Sequence, residues 1–287
     1  MLISTEIGSL REKLGDDKKI IQLLKNSGFT AYDFSMSSAQ YAMEFLKDDG
    51  FYEYVKDIRA FADSIGIVCN QTHAPFPTIK PNDDEYNKFM LELIKRSIKA
   101  SALLGAKICV VHPCNTFSPE ENIPLYRDLL PTAKEVGIKI ATENMWGRDY
   151  VKNTLAPAAN SDHVSFKKHM DLLSELDKDV FVACVDIGHC NLEGLNTSPV
   201  ETLTALGDYV QCIHLHDNDK SCDMHVLPFT SKMDYAPVIQ ALKDINYKGD
   251  VTLEAVHFLH RVPNELIPSF IKLYADVAIW FKNQLEK

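Results

Sequence analysis

Short, nearly unbroken apolar runs alternate with amphipathic stretches along the whole chain, and most of the apolar runs end on a polar residue. Six of these runs follow a glycine. Gly28 leads into Phe-Thr-Ala-Tyr-Asp, Gly66 into Ile-Val-Cys-Asn-Gln-Thr-His, and Gly105 into Ala-Lys-Ile-Cys-Val-Val-His. Gly137 leads into Ile-Lys-Ile-Ala-Thr-Glu, Gly207 into Asp-Tyr-Val-Gln-Cys-Ile-His, and Gly249 into Asp-Val-Thr-Leu-Glu. Glycine just past a helix end supplies the left-handed conformation that stops the helix, so each junction reads as helix, stop, strand. Gly28, Gly66, Gly105 and Gly137 are 38, 39 and 32 residues apart, the period of a βα unit. The longer gap to Gly207 holds one further strand, Val180 to Asp186, and a first strand spans Leu2 to Ile7, which makes eight.

Between the strands, Phe89, Met90, Leu93, Ile94 and Ile98 form an apolar stripe at helical spacing, as do Leu266, Ile267, Phe270, Ile271 and Tyr274. Ser118-Pro-Glu-Glu121 and Ser198-Pro-Val-Glu201 each combine a Ser cap, Pro at the first helical position and a Glu placed for a capping box. Eight apolar strands alternating with helices call for a parallel sheet covered by helices. The expectation is an α/β chain forming a single (β/α)8 TIM barrel over residues 1–287, with no linker or low-complexity tract to divide it.

Composition changes this picture little. Hydrophobic content of 46% and charged content of 24% suit a soluble globular protein, and no apolar run is long enough to span a membrane. The start lacks the apolar stretch of a signal peptide. Seven cysteines, with no Cys-x-x-Cys pair, and Cys109, Cys184 and Cys212 inside apolar runs, fit a reducing cytoplasm. A net charge of −10 argues against a broad nucleic-acid surface.

The glycine register exposes the candidate chemistry. Five to seven residues after their glycines come His73, His112, Glu143, His214 and Glu254, and Asp186 holds the equivalent place on the strand without one. In a barrel those strand ends converge on one mouth, where active sites of this fold lie. One polar residue at a strand end is usually a cap or a solvated loop residue. Six in register are different, because carboxylates converging in a cleft repel one another without a cation. Imidazoles mixed with carboxylates suit zinc or manganese. Further donors follow on loops: His189 just past Asp186, with Gly188 allowing a tight turn, and the pair Asp223 and His225 on one side of an extended segment.

The segments Thr72-His73-Ala-Pro, Val-Val-His112-Pro, Thr-Glu143-Asn144, Val-Asp186-Ile-Gly-His189, Ile-His214-Leu-His-Asp217 and Leu-Glu254 together resemble the xylose-isomerase-like TIM-barrel superfamily, over essentially the whole chain. That group includes sugar isomerases, ketose 3-epimerases, inosose dehydratases and the endonuclease IV family. The epimerase branch implies one metal held by Glu143, Asp186, His214 and Glu254. The endonuclease IV branch implies three ions: one on His73, His112 and Glu143, a second on the four-residue set with Glu143 bridging, and a third on His189, Asp223 and His225. All nine positions are filled, so one to three ions are expected. The loop after His225, with Pro228-Phe ahead of Asp234, departs from the glycine-bearing pattern usual there and lacks base-flipping contacts.

The resemblance therefore implies a metal-dependent sugar isomerase or epimerase, acting on a small sugar, sugar phosphate or polyol by proton transfer next to a carbonyl. Glu143 and Glu254 are the expected acid/base pair. His189 would contact a substrate oxygen if only one metal is held, and Trp146 is a candidate wall against a sugar face. Arg148, Lys152 and Arg261 are candidate phosphate contacts whose default is solvation. The stretch from Asn144 to Asp162 reads as an irregular lid. The alternatives are a dehydratase on the same scaffold, an endonuclease IV-like phosphodiesterase at abasic DNA, and a non-catalytic binding barrel. Expected partners are small molecules rather than nucleic acid or membrane, and a homo-oligomer is compatible with the sequence.

Overall fold

The computed structural model describes residues 1–37, 46–255 and 257–287. Ten strands are described among them. Eight form one parallel sheet: β1 (Ile3–Thr5), β2 (Ala31–Ser35), β3 (Val68–His73), β4 (Ile108–Val110), β5 (Lys139–Glu143), β8 (Phe181–Asp186), β9 (Val210–Leu215) and β10 (Val251–Leu253). The sheet runs β1-β10-β9-β8-β5-β4-β3-β2, and a parallel bridge between Glu6 and Asp33 draws its two edges together. The result is a (β/α)8 barrel, with all eight strands where the alternation of apolar runs places them.

Four of the six glycines act as helix stops in the expected way. Gly28, Gly66, Gly105 and Gly137 all lie in the left-handed region directly after helices. The other two differ. Gly207 combines φ 51° with ψ −122°, outside the left-handed well. Gly249 has no positive φ; instead, a Cβ there would sit 2.3 Å from the Gln211 carbonyl oxygen, so close packing of backbone on β9 requires it. The helix before Gly249 stops earlier, near Asn246 at φ 54°. Ser118 completes a capping box with Glu121. Ser198 makes half of one, accepting from the Glu201 N–H while its hydroxyl bonds the Glu201 carboxylate.

The core has two parts because strand residues alternate in direction. Outward-facing side chains such as Val111, Ile140, Phe181, Val185, Ile213 and Leu215 pack against the helices in one continuous cluster. Inward-facing Val110, Ala141, Val182, Cys184 and Cys212 form a separate plug inside the barrel. Each fully buried aliphatic side chain contributes about 1.5–3 kcal/mol. Two register slips adjust this alternation. Between β2 and β3, Tyr32 faces Cys69 but Asp33 faces Gln71, leaving Asn70 as an extra residue. Between β8 and β9, Ala183 faces Val210 but Cys184 faces Cys212.

The stretch from Asn144 to Asp162 is more ordered than expected. It carries an antiparallel hairpin, β6 (Gly147–Asp149) with β7 (Thr154–Ala156), and its turn exposes Tyr150 and Val151. Among the described residues, no helix is long and apolar enough to cross a membrane.

Candidate metal centre

Every residue singled out from the glycine register and the following loops arrives at the same end of the barrel. Their donor atoms fall into three groups, each within 4.8 Å of one another, and Asp33 with His73 and His214, and Cys184 with Glu143 and His214, meet the same spacing. His73, His112 and Glu143 come from the ends of β3, β4 and β5. Glu143, Asp186, His214 and Glu254 come from the ends of β5, β8, β9 and β10. His189, Asp223 and His225 join through the loops, together with His216, which the sequence reading did not single out. Its signal was the two-residue spacing from His214, which puts both side chains on one face of the strand.

The shared member is Glu143, which is buried. One of its oxygens lies 3.0 Å from Nε2 of His112 and the other 2.9 Å from Nδ1 of His214. Glu254 reaches the same Nδ1 at 3.1 Å through Oε2. Its side chain is 21% exposed against 2% for Glu143. Two strands, β8 and β9, separate β5 from β10, so these carboxylates converge on one nitrogen from separate points of the barrel rim.

Fixed polar groups orient the ring. Asn144 accepts from the Asp186 N–H at 2.8 Å and donates to the Asp186 carbonyl at 2.9 Å, which ties β5 to β8. Asn160 donates to the Glu143 carbonyl at 2.9 Å and accepts from Nδ1 of His169. Nδ1 of His189 bonds the Asn144 carbonyl at 2.8 Å, which turns Nε2 toward Asp223. Nδ1 of His225 bonds the Glu254 carbonyl at 2.6 Å, with Nε2 at 2.9 Å from Asp223. Backbone φ at His225 is +44°, so the Asp223–His225 segment is not extended, and a left-handed residue brings the two side chains together. Gly188 also differs from expectation. It has an ordinary φ of −68°; what it permits is the His216 ring, which would lie 2.0 Å from an added Cβ. That ring stacks on His225 with centroids 3.9 Å apart and bonds Asp186 at 2.9 Å.

Charge in the centre is balanced by protons. Burial works against a charged His214, yet Glu143 and Glu254 together raise its pKa well above the ordinary imidazole value. His189 is raised likewise against burial by Asp186 and Asp223. His73 and His225 are each raised to about 9, again against burial, by Asp33 and Asp223 respectively. Burial acts to raise Glu143, Asp223 and Glu254, but the facing imidazoles outweigh it and hold all three low. Protonated rings thus neutralise carboxylates where a cation would otherwise do so. Among the described residues, Nε2 of His73 and one oxygen of Asp223 are buried with no hydrogen-bond partner, and both belong to these donor groups. Nitrogen and oxygen donors at this spacing, with orphaned atoms facing inward, fit a divalent cation such as zinc.

Trp146 donates its indole N–H to Asp223 at 3.0 Å and lines a neighbouring cleft of about 430 Å³ with Arg148, Asn153, Glu193 and Ser221. Arg148 bonds the Asn153 amide. Lys152 instead pairs with Asp149 on the exposed hairpin, and Arg261 lies on the surface.

Fold and donor ring define a (β/α)8 barrel built to gather imidazoles and carboxylates at its C-terminal mouth. The chain belongs to the xylose isomerase-like TIM barrel family, whose model matches residues 21–268. Among curated relatives, an uncharacterised protein of Methanocaldococcus jannaschii is 25% identical over 72% of this chain and 70% of its own length. A probable endonuclease 4 of Mycoplasmopsis agalactiae is 26% identical over 61% of this chain and 62% of its own. Among solved structures, the IOLI protein with a bound zinc atom superposes with a TM-score of 0.73 at 16% identity, covering 99% of this chain and 98% of that one. D-psicose 3-epimerase, solved with D-fructose, gives 0.72 at 14% identity over the whole of both chains. At such identities the structural likeness carries the fold. The family and its structural neighbours are mostly enzymes, with epimerases and isomerases prominent.

Proposed function

We infer that the protein is a divalent-metal-dependent isomerase or epimerase of a small sugar, sugar phosphate or polyol. The observation that carries this reading is the convergence of Glu143 and Glu254 on Nδ1 of His214, at 2.9 and 3.1 Å, inside a four-residue donor set. Glu143, Asp186, His214 and Glu254 would hold the principal ion, zinc or manganese. His73, His112, His189, Asp223 and His225 are donors for up to two more. A cation there supplies Lewis acidity, which acidifies the carbon beside a bound carbonyl.

The two glutamates divide the proton transfers unequally. Both oxygens of Glu143 are engaged by imidazoles, whereas among the described residues only Oε2 of Glu254 has a partner. Glu254, the more exposed of the pair, takes the substrate proton first, and Glu143 serves the opposite face. Glu254 is held deprotonated by its histidines, the form a general base requires, and Glu143, also held low, would have to take up a proton from solvent before it could return one to the opposite face. His189 orients a substrate oxygen where the third donor set is empty. Trp146 presents its ring to the cleft, and Arg148 offers a charge there for an anionic end of the substrate. The D-psicose 3-epimerase and zinc-bound IOLI likenesses support this class of chemistry. A dehydratase would use the same proton abstraction with a different leaving group.

One observation favours a second reading, phosphodiester cleavage at abasic DNA: all nine donors are present, and a probable endonuclease 4 is among the relatives. The net charge of −10 opposes it. A panel of ketoses, aldoses and their phosphates in D₂O, followed by NMR, tests the leading reading. The parent protein should wash deuterium into one substrate, and Glu143→Gln and Glu254→Gln should each slow this about 10³-fold with the fold intact. Full exchange in both variants would refute the glutamate pair. Catalytic nicking of abasic duplex, with no sugar exchange, would put the phosphodiesterase first.

A further inference from the structure

Asp33 occupies the same register as the ring, five residues after Gly28, but belongs to none of the nine donors expected from the sequence. It is fully buried, and no lysine or arginine pairs with it among the described residues. Nδ1 of His73 lies 3.1 and 3.0 Å from its two oxygens, and the Gln71 amide nitrogen donates to Oδ2 at 2.8 Å. The same amide nitrogen lies 2.8 Å from Nε2 of His214. Thr252 bonds Gln71 Oε1 at 3.3 Å and in turn accepts from Ser4 at 2.8 Å, which anchors the amide to β10 and β1. Asp33, Gln71, His73 and His214 form a continuous buried path; the two histidines belong to the nine-donor ring, and Asp33, though spaced from them as a ligand would be, engages Nδ1 of His73 with both oxygens.

This path sets which edge of each imidazole faces the centre. With Nδ1 bound to Asp33, His73 turns Nε2 inward, and that atom is the buried one with no partner. With Nε2 against Gln71, His214 turns Nδ1 toward Glu143 and Glu254. A histidine that ligates through one nitrogen commonly donates the other to an acceptor, as Nδ1 of His73 does to Asp33, and this fixes both ring angle and basicity. The Gln71 amide nitrogen is itself a donor, so it fixes only the angle of the His214 ring. The register slip between β2 and β3 makes the arrangement possible, because it sets Asp33 opposite Gln71 rather than Asn70.

We propose that Asp33 and Gln71 are positioning residues for two ions at once. Asp33 aims His73 at the position shared with His112 and Glu143, and Gln71 aims His214 at the four-residue position. Joined by one hydrogen bond, they tie the geometry of one position to that of the other. This rests on the metal-binding half of the functional reading and is independent of which substrate is turned over.

The test uses zinc alone as probe. Parent, Asp33→Asn, Asp33→Ala and Gln71→Leu proteins are stripped with chelator and titrated with zinc against a chromophoric competitor. Bound zinc is counted by elemental analysis, and metal-free melting temperatures are recorded alongside. Asp33→Ala should weaken one zinc position about 10- to 100-fold and leave the tightest position within a few-fold of the parent. Asp33→Asn, whose amide oxygen still accepts from His73, should fall between parent and Asp33→Ala. Gln71→Leu should weaken the tightest position instead. A protein carrying both Asp33→Ala and Gln71→Leu should depart from the product of the single effects, because the residues touch. Parent-like zinc number and affinity in all variants overturn the proposal, as does a parent that retains no zinc. A drop in melting temperature with zinc affinity unchanged also overturns it, since that marks a purely structural pair. No sugar is present in these titrations, so a protein that fails to exchange deuterium but shows the expected zinc pattern refutes only the isomerase reading.

Discussion

Glu143 and His225 lie in one cluster of donors, yet the chain holds them by different means. Glu143 ends β5 with strands on both sides, and its carbonyl is held by Asn160, which His169 braces in turn. His225 sits in a loop at positive φ, braced by the Glu254 carbonyl and by stacking on His216. The strand-held donors are placed by the barrel itself and keep their geometry as long as it is folded. The loop-held donors are placed by a few contacts, several of them to other donors. A position built in the second way should be the more easily emptied and the more easily altered.

The broadest break in this contrast is removal of all metal. Chelation should abolish deuterium exchange, about 10³-fold or more, and lower the melting temperature by several degrees, because ligands that bind only the native state stabilise it by mass action. Back-titration should refill the strand-held positions at lower free zinc than the loop-held one. Equal affinities would erase the distinction.

A smaller effect probes the brace under Glu143. Burial lowers the His169 pKa to about 4 from an ordinary 6.5, so the folded state keeps this ring neutral where the unfolded chain protonates it. Its contribution is complete above pH 6.5 and is lost as pH falls toward 4, a swing on the order of 3 kcal/mol. Urea titrations across that range should show the slope in the parent and its flattening in His169→Gln. His73 and His225, raised to about 9, act in another window. They favour the metal-free fold below pH 6.5, and that support disappears as pH rises through 9. The smallest effect falls on the loop. His225→Ala should weaken one zinc position about 10- to 100-fold and leave the strand-held ions in place, as read by zinc stoichiometry.

The same contrast explains what was legible in the sequence. Strand-end donors recur at a fixed distance from helix-stopping glycines, so one period revealed the barrel and His73, His112, Glu143, His214 and Glu254 together. Loop donors have no period: His189, Asp223 and His225 were found only by their nearness in sequence to strand-end donors, and the family resemblance then grouped them as one set. Asp33 was visible in the register at Gly28 but was passed over, because a carboxylate that orients a ligand carries the same local signature as one that is a ligand. Gly188 and Gly249 misled for a related reason. A glycine needed for a neighbouring ring or carbonyl is spelled like one needed for a turn.

The unpaired Asn70 on β3 also bears on how such barrels can be recombined. A chimaera that joined the first two βα units of this chain to the remaining six of a relative without that extra residue would form its backbone hydrogen bonds one step out of phase. Its hydrophobic seam could still close, yet the Asp33 side chain would no longer meet the β3 residue that stands in the place of Gln71. Exchange of barrel segments across this seam would then yield folded proteins with misaimed histidines, so the β2–β3 boundary is one that inheritance and design alike should carry over intact.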